Sequence, residues 1–131
     1  MKPTTIALAC ALLAAGCTLG PTIQEFEPAH RAAGAVATVR LARATIAGEL
    51  LAVSDSGVLL LARDGITEVP FRLVRSGIVQ GMPNDFGMGD APDSDTRRTM
   101  RNLSRFPQGL SPELLEKLLA AYRQQATIVH P

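Results

Sequence analysis

Two turn signals separated by one short apolar run constrain this chain more than any other feature it has. Asp64-Gly65 is a two-residue turn pair whose twist suits antiparallel strands, with Leu59–Arg63 before it and Ile66–Val69 after it. Upstream, Ser54-Asp55-Ser56-Gly57 supplies a second turn, with Gly57 able to take positive φ, ahead of Val58-Leu59-Leu60-Leu61. A backbone that reverses twice over so few residues has no room for a parallel crossover, so this region predicts an antiparallel meander. Thr45–Val53 is the preceding strand. Ala35–Leu41 sets Ala37, Val39 and Leu41 against Thr38 and Arg40, the alternation of a strand with one buried face. An Ala/Arg-rich helix over Ala29–Ala47 is the competing assignment, and the β-branched Val36, Thr38, Val39, Thr45 and Ile46 weigh against it. Pro70 lacks a donor and ends a strand or sits on an edge; Phe71–Val74 and Ile78–Val79, bent at Ser76-Gly77, bring the total to about five short strands.

The hydrophobic period then changes. Asp95 is placed to cap a short helix over Thr96–Arg105, in which Met100, Leu103 and Phe106 recur at three-residue steps, and Pro107-Gln108-Gly109 stops it. Ser111-Pro112-Glu113 begins a second helix with a hydroxyl cap, a proline at the first helical position and a carboxylate at the positive end of the macrodipole. Leu114, Leu115, Leu118, Leu119 and Tyr122 form its apolar stripe, which must cover either the chain's own core or a partner protein; the first is the expectation. The fold class predicted is therefore α+β, an antiparallel meander followed by two C-terminal helices.

The strand and turn order over residues 35–80 resembles small SH3-like or Sm-like β-barrels, which implies a closed barrel of that size. RNA binding does not follow from the resemblance, since the Sm loop motif is not recognisable and aromatic residues are only 4% of the chain, too few for a base-stacking platform.

The N-terminus carries the only specific functional motif. Met1-Lys2 precedes an apolar stretch, Ile6–Ala15, long enough for a secretory signal and too short to span the ~30 Å of a bilayer core. Leu13-Ala14-Ala15-Gly16-Cys17 resembles the lipobox of bacterial lipoproteins, although Ala14 stands where Leu is commonest in that family. The resemblance implies cleavage after Gly16 and acylation of Cys17, which becomes the first residue. Cys10 also follows small residues, but cleavage there leaves too short an apolar core. Thr18 is not the Asp that keeps enteric lipoproteins at the inner membrane, so the resemblance implies the periplasmic leaflet of the outer membrane. The segments expected are 1–16 signal peptide, 17–34 lipidated Cys and tether, 35–80 small β domain, 81–95 linker and 96–131 helical pair.

Losing Lys2 leaves twelve basic and twelve acidic side chains, so net charge selects no partner. Cys17 is then the sole cysteine, and an exported fold without a disulfide depends on packing. Catalytic residues are not expected. His30 and His130 are too isolated for a nucleophile and base pair or a metal site, and Asp85, Asp90, Asp93 and Asp95 lack the spacing of a calcium loop. No cofactor and no metal is expected. Arg97, Arg101 and Arg105, with Arg98 beside them, line one face of the first predicted helix; they fit contact with an anionic surface, or a solvated face neutralised by Asp90, Asp93 and Asp95. Two short helices also resemble a helix-turn-helix, but an exported chain does not meet DNA. The expectation is an envelope lipoprotein with a structural or protein-interaction role and no catalytic activity, held to the membrane by its lipid and contacting an envelope protein. The alternative is a binding protein that keeps a small apolar or lipidic ligand between the β domain and the helices.

Overall fold

A computed structural model of the chain describes Phe26 and residues 28–87 and 92–130. They form an α+β fold: β1 (Val36–Arg40), β2 (Thr45–Val53), β3 (Gly57–Ala62), β4 (Gly65–Pro70), a single 3-10 turn (Phe71–Leu73), β5 (Ser76–Val79), β6 (Phe86–Gly87), α1 (Ser94–Leu103), α2 (Pro112–Ala121) and β7 (Ile128–Val129). The sheet order is β6-β5-β1-β2-β3-β4-β7. All neighbours are antiparallel except β4 and β7. The sheet is open, because β4 ends against β7 and β5 against β6, so the closed barrel implied by the SH3-like resemblance does not form.

Local chemistry accounts for the turns, with three shifts from expectation. Ala62 pairs with Gly65, which makes Arg63-Asp64 the central residues of the β3–β4 hairpin, and Gly65 follows them at φ 128°. In the other hairpin the Ser54 hydroxyl accepts from the Ser56 and Gly57 amides. Gly57 has no positive φ; its missing Cβ instead allows close approach to the Val69 carbonyl. Ser76-Gly77 is not a bend but the start of β5, where Gly77 leaves room for the Phe86 ring.

The sheet buries side chains on both faces. Ala37, Val39, Leu50, Val58, Leu60, Val69 and Val79 point to one core with Phe71, Phe86 and Met100. Leu51 and Ile66, with Leu59 and Leu61, pack on the opposite face against Phe106, Leu114 and Leu118. Strand β3 therefore reads as an unbroken apolar run because it is covered on both sides. Helix α2 starts where the sequence indicates, with Ser111 accepting from the Leu114 amide. Helix α1 starts earlier than expected, because Asp93 rather than Asp95 caps it by accepting from the Thr96 amide at 2.8 Å.

The segment expected to be a tether belongs partly to the domain. Phe26 is buried in the second core, and residues 28–35 run as a strap along the connection between the helices. The Gln108 amide donates to the Pro28 carbonyl, the His30 amide to Arg105 O, and the Ala35 amide to Leu103 O. Where the strap meets β2 the strand bulges between Leu50 and Ala52. The bulge frees two successive carbonyls, which accept from the Arg105 amide (Leu50) and the Phe106 amide (Leu51).

Candidate functional site

Helix α2 covers only the β3–β4 half of the outer face. On the other half, β1 turns Val36, Thr38 and Arg40 outward, and β5 turns out Ile78. Ile78 pairs with Thr38, and the Gln80 amide donates to Val36 O, which makes Val36 and Ile78 diagonal neighbours across the ladder. They are 52% and 55% exposed, and Ala47 of β2, opposite Thr38, extends the same strip. Apolar side chains on an outward sheet face gain nothing from water and suit a protein surface laid against them.

A second feature lies at the margin of α2. A groove of about 290 Å³ runs between the β2–β3 hairpin and the start of the helix, with Leu59, Leu110 and Leu115 among its lining residues and Glu68 beside them. It is the apolar space between sheet and helix that a small apolar ligand would need. A larger cleft of about 570 Å³ separates the β5–β6 connection from the start of α1, and Asp85, Asp93 and Asp95 line it with Asn84, Thr96 and Thr99. Asp93 is occupied there by its capping bonds to the Thr96 amide and hydroxyl. The same amide bond holds its carboxyl below the ordinary carboxylate range. Among the described residues no group of three or more His, Cys, Asp or Glu side chains could hold a metal ion.

The arginine stripe does not survive as one surface. Arg105 lies beyond the end of α1 and is buried; its Nε and Nη2 donate to the two carboxylate oxygens of Glu49 at 2.7 and 2.9 Å. Glu49 Oε1 also accepts from the Gly34 amide, so this pair pins the strap to β2. Arg101 pairs with Asp55 and donates to the Val53 carbonyl, bracing the β2–β3 turn. Arg98 pairs with Asp95 on the exposed side of α1. Arg97 is half-buried, and its Nε finds no partner among the described residues. Sequence spacing placed Arg97, Arg101 and Arg105 on one helical face with Arg98 beside them, but the helix ends at Leu103, and Arg101 and Arg105 are recruited by acids distant in sequence.

His30 is exposed on the strap and His130 lines a shallow site with Arg43 and Leu73, so the two are not brought into one cluster. Leu13, Ala14, Ala15, Gly16 and Cys17 lie outside the described residues, as does Asp90. Among the described residues no helix is long and apolar enough to cross a membrane. Val36 and Ile78 were the residues that sequence reading missed; a signal existed, since both occupy the outward parity of strands whose other outward positions are polar. Compared with known proteins, the chain matches no family model, no curated protein and no solved structure.

Proposed function

We propose that this chain is an envelope lipoprotein that acts by binding another envelope protein, with no catalytic step of its own. The observation that carries the reading is the β1–β5 part of the outer sheet face, where Val36 and Ile78 stand diagonally across the ladder in solvent, while α2 packs over Leu59, Leu61 and Ile66 of β3 and β4. The Ala15-Gly16-Cys17 motif supports attachment through a lipidated cysteine, with the outer membrane as destination. The test is a photo-crosslinking amino acid at Ile78 in intact envelopes, compared with the same group at the exposed Arg72. A discrete adduct from position 78 alone is expected; identical products from both positions, or none, would overturn the reading.

The apolar groove beside Leu110 and Leu115 favours a second reading, in which the domain binds a small apolar or lipidic ligand. Titration with a fluorescent fatty acid tests it. Saturable binding that is lost in Leu59→Lys supports this reading, and non-saturable partitioning removes it.

A further inference from the structure

We propose that the end of the domain formed by Pro28–His30 and the turn of residues 106–111 faces the bilayer and rests on neutral lipid headgroups. This inference depends on the lipid anchor at Cys17. The chain enters the described fold at Phe26, which is 3% exposed and wedged among Leu51, Phe106, Leu114 and Leu118. Pro28 is held beside it by the Gln108 amide, so the chain's point of entry is fixed next to the connection between α1 and α2. Between Cys17 and Phe26 lie residues 18–25. Whatever path they take, nine peptide steps reach at most ~32 Å. A domain of this size has a radius of gyration of ~13 Å and hence a diameter of roughly 33 Å. For the opposite end to touch the membrane, the connecting segment would have to run fully extended along the whole domain.

The chemistry of this end fits the placement. The depression beside Pro28 is lined by Gln108, Gly109, Leu110, Ser111 and Leu114, and none of these side chains is charged. No charged residue occurs from Phe106 to Pro112, and the strap contributes Pro28, Ala29 and His30. The nearest acids are Glu25 and Glu27 in the sequence and Glu113 in the first turn of α2. The uncharged turn of residues 106–111 approaches phosphocholine headgroups without stripping water from a fixed charge; at its margin the exposed Arg31, which donates to the Asn102 carbonyl, is offset in sequence by Glu25 and Glu27, so anionic lipid gains no net advantage.

The far end supplies the comparison. Asn84 lines the acidic cleft at the start of α1 with Thr96, and the ten residues of α1 put about 15 Å between that end and Leu103. The experiment uses the full lipidated protein in phosphatidylcholine vesicles doped with headgroup spin-labelled lipid. With Cys17 acylated, a fluorophore is attached at Pro28→Cys or at Asn84→Cys. Quenching at position 28 is expected to exceed that at position 84 by at least threefold, with no increase when phosphatidylglycerol is added. Vesicle-bound protein with equal quenching, or stronger quenching at position 84, overturns the orientation while leaving the anchor intact. Failure to float with the vesicles overturns the anchor, and the orientation with it.

Discussion

Removing the Glu49 carboxylate should be among the costliest single changes in this fold. Its two oxygens accept from the Gly34 amide and from Nε and Nη2 of Arg105, whose side chain is 7% exposed beside a Glu49 side chain that is 16% exposed. Glu49→Ala leaves a guanidinium buried without a counter-charge and an amide without an acceptor. Breaking a buried pair from one side costs about 3–5 kcal/mol. In a domain of this size each kcal/mol moves the melting temperature by roughly 4–8 °C, so a fall of at least ~12 °C is expected. The converse also follows. Arg105 Nη1 finds no partner among the described residues, so the pair is incompletely satisfied, and Glu49→Leu combined with Arg105→Met should recover the part of the loss that comes from the uncompensated charge, leaving the Gly34 amide unpaired. Thermal and urea unfolding of residues 17–131 carrying Cys17→Ser, followed by circular dichroism, reads both. A Glu49→Ala melt within about 2 °C of the parent would refute the burial argument, since that corresponds to less than ~0.5 kcal/mol.

Leu118→Ala should destabilise the same chain by ~2–5 kcal/mol, because Leu118 is fully buried against Phe106 and Ile66; an unchanged melt with altered sedimentation would mean that α2 serves a partner. Gly65→Val should cost on the order of 1–3 kcal/mol in the same melts, since φ is 128° and a Cβ would meet the Gln124 amide 2.6 Å away; a melt like the parent's would contradict this hairpin geometry. The carboxyl of Asp93 is held below its ordinary range by the Thr96 amide, so its capping contribution is present above the unfolded value of about 3.9 and is lost as pH falls through the folded one. The melting difference between wild type and Asp93→Ala should accordingly shrink between pH 6 and pH 3, and a constant difference would contradict it.

Local signals carried the elements, and long-range partners decided what local signals could not. Thr45–Val53 and the start of α2 were legible because a β-rich run and a Ser-Pro-Glu start are complete within a few residues. The two-residue β7 was not. Its place beside β4 depends on Thr67 and Glu68, and on the Gln124 side chain that accepts from the Ile66 amide and donates to its carbonyl as a neighbouring strand would. The three-residue recurrence of Met100, Leu103 and Phe106 suggested one buried face. The chain leaves the helix after Leu103, and Phe106 enters the other core across the β2 bulge. Phe26 looked like part of a tether because one aromatic residue between two acids has no periodicity to betray its burial. The uncovered strip required knowing that α2 shields β3 and β4 but not β1 and β5, a fact of packing that strand alternation alone does not contain.

Attachment through Cys17 underlies the proposed function, and intact mass of the protein extracted from membranes tests it most directly. A chain beginning at Cys17 and carrying a diacylglyceryl group is expected, with the group and membrane association both lost in Cys17→Ser. A chain that retains residues 1–16, or begins elsewhere without lipid, would contradict it.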